Sequence, residues 1–467
     1  MLVPLRRVGA AETAASSTLA AAWYGVAVLL AAYTLAFIDR TILSLLVEPL
    51  KRTFAISDSQ FSLLHGLAFA VFYTTLGIPI ARWADQGSRQ RIVACGIVLW
   101  SAMTAACGFA QSYLQLFLAR VGVGSGEAAL SPASYSMIHD WFPRERLGRA
   151  LSTYSTGVCL GGGLALLIGG AAVQWVMTST THTLPVFGPV PSLRLVFLTV
   201  GLPGVLLALL VLMTVGEPRR QHGSAGGRTS GRVSGASAAD FRRFVTVNRA
   251  TLGYHFVGFS LNGLMLMAYL AWAPTLYVRK FGHSASQAAL PLGLALLVCG
   301  TAGMISGGAL ADRFTRRGRP DSFILAALVG SLGLIPSALA AALAPGPGST
   351  TAAFCAFFFF VSFSIGLGPA SLQVLAPTTL RAQVSALYIC FLNILATAVG
   401  PTAVAVCTDY LFRRPSAIDM SMAVVAVAVC PLSAVMFALC RKPFARYVCR
   451  ASDNPLHSLR AAVAIAT

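Results

Sequence analysis

Four ionisable residues stand inside runs that are otherwise apolar. The stretch FIDRTILSLL, residues 37–46, carries Asp39 beside Arg40. The stretch LFLARVGVGSGEAALSPASYSMI, residues 116–138, carries Arg120 and Glu127 about two helical turns apart, so both fall on one helix face. A charge at a bilayer centre costs roughly 2.5–3.5 kcal/mol on insertion scales. Two acids and two bases that meet would cancel much of that cost. Purely structural ion pairs are a poor use of buried charge, because apolar residues often do as well. Acids in such settings commonly relay protons. Burial raises a carboxylate's pKa and a nearby arginine lowers it, so a substrate that competes for the arginine can switch the acid. Asp39 and Glu127 are therefore the expected proton-coupling residues, with Arg40 and Arg120 as their charge partners.

The elements that position them can be read from hydropathy. The 467 residues are 56% hydrophobic and only 10% charged, with mean hydropathy +0.74. Soluble proteins carry about 25% charged residues, so this chain reads as an all-α, multi-pass membrane protein. Runs of about 20 apolar residues recur at 22–50, 60–82, 92–111, 114–139, 150–176, 194–215, 250–278, 287–311, 322–344, 351–377, 384–410 and 418–440. They predict twelve spans. At 1.5 Å per residue, Asp39 lies roughly 16 Å below the outer end of the first span. Arg120 and Glu127 lie roughly 9 and 20 Å deep in the fourth. The four charges thus share a depth range.

The net charge of +19 raises nucleic-acid binding, but the charges fall in short loops rather than on a patch. With the N-terminus inside, twenty-five Lys/Arg lie in inner segments against seven in outer ones, which satisfies the positive-inside rule. Both termini are expected in the cytoplasm. The N-terminus, with two arginines and no apolar core before residue 20, is not expected to be a cleavable signal peptide. The predicted organisation is a tail (1–20), a six-helix bundle (21–215), a Gly/Ser/Arg-rich cytoplasmic linker (216–248), a second six-helix bundle (249–440) and a tail (441–467). Ten scattered cysteines without a C-x-x-C pair give neither a metal site nor a disulfide framework. No P-loop is present, and no cofactor is expected.

Two loops repeat. ARWADQGSRQR (81–91) follows the second span and GALADRFTRRG (308–318) follows the eighth, placing Asp85 and Asp312 equivalently in the two halves. Here the chain resembles the major facilitator superfamily, whose G-x-L-A-D-R signature recurs at these two places; Ala81 and Gln86 depart from it in the first copy. The resemblance implies a fold of two six-helix halves, alternating access and a monomer. It also implies gating roles for Asp85, Arg89, Asp312 and Arg313, the acid meeting the positive end of a neighbouring helix. The stretches 39–58 and 120–155 resemble the Spinster-like branch more narrowly, through the Asp-Arg pair, G-E-A and F-P-x-x-x-R-x-x-A. That branch implies proton sensing at Asp39 and Glu127, and its animal members imply a lysolipid-like substrate. A bacterial inner membrane is the expected location.

The second half is poorer in charge. Asn262 and Asn393 lie near mid-span and are expected either to line a cavity or to bond between helices. Phe256, Phe259, Met265, Met267 and Phe357–Phe360 are candidates for an apolar cavity wall. Small residues at intervals of four, Gly157, Gly161, Ala165 and Gly169, then Gly303, Gly307 and Ala311, predict tight helix contacts. The expected function is a secondary transporter of a small amphipathic or anionic molecule, coupled to protons. The alternatives are a proton-independent facilitator and, from other classes, an intramembrane enzyme or a channel.

Overall fold

The computed structural model describes residues 6–142, 150–151, 153–176, 181–184, 188–217, 238–377 and 380–453. The arginines of 144–149 and most of the expected linker lie outside the described residues. All twelve expected runs are helical. Ten are long and apolar enough to cross a membrane: Leu19–Leu45, Arg89–Cys107, Thr153–Val176, Ser192–Thr214, Arg249–Phe281, Ala285–Arg316, Ser322–Leu343, Pro347–Leu375, Gln383–Phe412 and Pro415–Arg450. The other two are interrupted. The fourth divides into Tyr113–Glu127 and Leu130–Trp141. The second contains a π-helical turn, Leu63–Leu67, before Ala68–Gln86. Further π turns interrupt the eighth span at Ala295–Gly300 and the eleventh at Ile394–Val399. Such bulges are frequent at functional sites.

One feature escapes the hydropathy reading. Between the fifth and sixth spans, strands Thr181–Leu184 and Gly188–Pro191 pair antiparallel, with Thr181 opposite Pro191.

The chain forms two compact units, residues 1–42 with 71–226, and residues 43–70 with 227–467. The core of the first is built from Val26, Leu29, Trp100, Met137 and Tyr154. The predicted small-residue contacts recur there. A Cβ on Gly126 would stand 2.6 Å from the Trp100 amide nitrogen, so the third and fourth spans meet backbone to backbone just ahead of the break. A Cβ on Gly161 would likewise crowd Phe37 and Thr34 of the first span. Both contacts fix helices that carry the charged residues.

The second unit packs Phe256, Phe259, Tyr388 and Phe437 together. Phe259, Met265, Phe357 and Phe358 are buried in this unit's interior. The expected apolar wall is therefore largely core, as aromatic residues in a tight helix bundle usually are.

The internal repeat runs further than the two basic loops. The helix Val47–Phe54 ends at Ala55 in the left-handed region, and Arg249–Phe281 ends at Gly282 in the same region. A capping box follows each: Ser57 with Gln60, and Ser284 with Gln287. In each box the serine oxygen accepts from the third backbone N–H while the glutamine reaches back, satisfying two helix-end donors at once.

Candidate functional site

The first unit brings Asp39, Arg40, Arg120 and Glu127 together. Arg40 Nε donates to Glu127 Oε2 at 2.6 Å, and its second guanidinium nitrogen lies 2.5 Å from the same oxygen. Arg120 Nη1 stands 3.6 Å from Asp39 Oδ1. Thr104 Oγ1, from the third span, donates to Asp39 Oδ2 at 2.7 Å. Charge balance is local: two acids, two bases, each acid beside a base.

The two pairs differ. The Arg40–Glu127 pair is short and hydrogen-bonded. Across the Asp39–Arg120 pair there is charge but no hydrogen bond, and among the described residues all three Arg120 guanidinium nitrogens lack an acceptor. Glu127 Oε1 and Asp39 Oδ1 are also without a donor. Asp39, Arg120 and Glu127 are almost wholly buried. The Arg40 side chain keeps 18% of its surface exposed. Its guanidinium carbon lies 5.0 Å from the Phe37 ring centroid and 5.1 Å from that of Tyr73. Cation–π contact of this kind holds a guanidinium in place while leaving its edges for acceptors.

Sequence reasoning missed Thr104 and a tyrosine cluster beside Arg40. Tyr33 stacks on Tyr154 with centroids 4.8 Å apart, and Tyr135 meets Tyr154 edge-on at 5.4 Å. Tyr73 Oη reaches Ser131 Oγ at 3.4 Å. The signal was available: Tyr135 and Tyr154 lie in the motif stretch 120–155.

A second cluster surrounds Arg89. Its Nη1 bonds Asp140 Oδ2 at 2.6 Å and Ser136 Oγ at 2.9 Å, and its Nε bonds Glu217 Oε1 at 2.9 Å. Burial alone would raise the Glu217 carboxyl. Hydrogen bonds from the Gln90 amide, Arg89 and Ser88 outweigh it and hold the group below the usual carboxylate range. Asp140 and Glu217 were not anticipated, because each sits at a span end where an acid is ordinary. Asp85 lies in a helix, and its side chain falls outside the described residues. Asp312 and Arg313 are exposed, and neither forms an ion pair among the described residues.

The two asparagines are placed elsewhere. Asn262 takes the second of its two expected places, the bond between helices. It is buried in the second unit, where Nδ2 donates to Ser331 and Ser364, and Oδ1 accepts from Ser433 at 2.6 Å and from Ser331 at 3.2 Å. Those bonds tie the seventh, ninth, tenth and twelfth spans together. Interhelical bonding wins because a buried amide must satisfy both its donors and its acceptor. Asn393 is half-buried at the last residue before the π turn of the eleventh span.

The family model described as the Major Facilitator Superfamily matches residues 29–401. The chain belongs to that superfamily. This chain is 30% identical over 397 residues to an MFS-type efflux pump of Mycolicibacterium smegmatis, covering 84% of this chain and 85% of the pump. It is 28% identical over 319 residues to a sphingosine-1-phosphate transporter of Danio rerio, covering 64% and 58%. A solved bacterial homolog of the human lysosomal transporter Spinster superposes with TM-score 0.71 and 28% identity, covering 95% of this chain and 98% of that one. The protein is thus Spinster-like, with the superfamily's fold of twelve helices in two halves. It is a multi-pass membrane transporter rather than an enzyme.

Proposed function

We propose that this protein is a secondary active transporter of a small amphipathic organic anion, working by alternating access with proton movement through Asp39 and Glu127. The observation that carries the reading is the hydrogen-bonded pair between partly exposed Arg40 and buried Glu127. An incoming anionic head competes for the exposed edge of Arg40. An anion bound there draws the guanidinium away from Glu127, and a buried carboxylate without its cation binds a proton. Substrate and proton are coupled in this way without touching each other. The substrate of the Danio rerio relative, sphingosine 1-phosphate, is an amphipathic anion of the required kind.

The second unit supplies packing rather than charge, with Asn393 as its polar contribution to the transport path. Asp85, Arg89, Asp312 and Arg313 act at the ends of the spans as gating residues. The excess of Lys/Arg in the expected inner segments supports a topology with both termini in the cytoplasm, the protein acting as a monomer in a bacterial inner membrane. The close alternative is a facilitator of the same fold that moves no proton.

The test is reconstitution in vesicles with an imposed pH gradient, after a thermal-shift screen of sphingosine 1-phosphate, a sugar acid and a cationic drug. Glu127→Gln should abolish the pH dependence of transport while expression stays normal. Transport in that variant that still follows the gradient removes Glu127 from the mechanism. Gradient-independent transport by the parent protein favours the facilitator.

A further inference from the structure

Two of the ten cysteines meet in the second unit. Cys299 lies in the π turn Ala295–Gly300 of the eighth span, and Cys355 lies in the tenth span, Pro347–Leu375. That π turn packs against the tenth span. Backbone contacts fix the register of the two helices. A Cβ on Gly303 would collide with the Phe359 carbonyl, and one on Gly307 would stand 3.0 Å from Phe363 Cα. From one contact to the next both chains advance by the same step, about one helical turn, so the helices run parallel here. One turn earlier, the same register sets Cys299 opposite Cys355. The two thiols interact directly there, by hydrogen bond and by charge.

The surroundings define what such a pair can hold. The glycine contacts bring the two backbones close, and cysteine is short enough to fill the gap that remains beside them. A π turn is a frequent mark of functional sites. Both thiols are half-buried, unlike Cys430 and Cys440, which are sealed in the core. Val298, beside Cys299, is exposed on the helix surface, so the pair is partly open. Among the described residues no third His, Cys, Asp or Glu joins it. Structural zinc takes four ligands and does not match this set. Two facing sulfurs match a soft centre that binds sulfur in pairs.

We propose that Cys299 and Cys355 form a two-thiol binding site for a soft, thiol-seeking centre, trivalent arsenicals being the class that fits two facing sulfurs. In the hydrated arsenical the arsenic carries two hydroxyls. Each As–O bond breaks as an As–S bond forms, and each hydroxyl leaves as water with the proton of one thiol. Arsenic stays trivalent and nothing is oxidised. The second sulfur acts at high effective concentration, because the helix register already holds it in place. The adduct therefore outlasts any that a lone cysteine forms, and it ties the eighth span to the tenth. The site stands apart from the transport reading and needs neither substrate nor proton movement.

Phenylarsine oxide is the probe, being neutral and apolar enough to reach a site within the bilayer. The full-length protein in detergent is treated with it, washed with excess glutathione and weighed by intact mass spectrometry. Glutathione should strip arsenic from lone cysteines and leave a single adduct, which dimercaptopropanol, itself a dithiol, should remove. Cys299→Ser and Cys355→Ser should each lower the retained adduct at least about tenfold, since a second linked contact adds about 10²–10⁴ in avidity. Cys407→Ser, which removes another half-buried thiol, should leave it unchanged. Proteolysis of the adduct should place the arsenic on peptides of the eighth and tenth spans together. No retained adduct in the parent protein, or equal retention in both serine variants, overturns the site. Where a serine variant aggregates, Cys299→Ala and Cys355→Ala carry the same measurement, and equal retention in them overturns it too.

Discussion

Arg120 illustrates what a single buried charge demands. Its guanidinium is fully buried, and Asp39 at 3.6 Å is its counter-charge. Arg120→Leu would leave Asp39 uncompensated, at a cost of about 3–5 kcal/mol. Arg120→Leu with Asp39→Asn should recover most of that loss, and thermal unfolding of the four proteins of the cycle in detergent measures it. Asn262→Ala should cost about 1–3 kcal/mol, because partner hydroxyls are left without bonds, and should leave any pH dependence of transport unchanged. The contrast follows from what each residue touches. It also explains what could be read early. Asp39, Arg40, Arg120 and Glu127 were legible because a charge in an apolar run is costly whatever the fold. Thr104 was not, because threonine is ordinary in a span and only three-dimensional proximity gives it the Asp39 carboxylate. For Asn262 the sequence allowed two partners, and packing chose the serines.

At the scale of elements, the helix ends and helix contacts decide. Ala55 holds a left-handed conformation that costs an L-residue roughly 1–2 kcal/mol; its counterpart in the second half is Gly282. Ala55→Gly should raise the thermal midpoint, and a lowered midpoint would show that the Ala55 methyl makes a compensating contact. Gly126→Val should be destabilising by about 1–3 kcal/mol through overpacking against Trp100, with lowered yield of folded protein as the readout. The spans were legible because hydropathy over twenty residues averages out local detail. The break at 128–129 and the π turns were not, since no residue type marks them. They arise where a neighbouring helix or a buried charge asks the backbone to shift its register. The strand pair Thr181–Leu184 and Gly188–Pro191 was hidden for another reason: four-residue strands fall below what periodicity can resolve.

For the whole molecule, orientation is directly testable. Cys449 lies in the expected cytoplasmic tail and is exposed. In intact cells an impermeant thiol reagent should spare it and a permeant one should modify it. Labelling by both would invert the topology. The ion pair of Asp58 with Arg279 carries a pH expectation as well. A carboxylate whose folded pKa is depressed contributes stability above its unfolded value, near 3.9 for aspartate, and loses it only as pH falls through the lower folded value. Lys51 and Arg279 face Asp58, and Glu48 lies on the far side of Arg279. The stability lost on Asp58→Asn, read by thermal unfolding in detergent, should therefore be the same at pH 5 as at pH 7, and a smaller loss at pH 5 would show that Asp58 is protonated there.

The division of the chain into units that are not contiguous in sequence has a further consequence during synthesis. Asp58 and Arg279 are separated by 221 residues. At a ribosome's pace of about 5–20 residues per second, Asp58 waits roughly 10–45 s for Arg279 to emerge. During that interval its cation within reach along the chain is Lys51, which bonds it in the finished fold. Early membrane insertion of the first two spans thus proceeds on provisional pairing, completed only when the seventh span arrives.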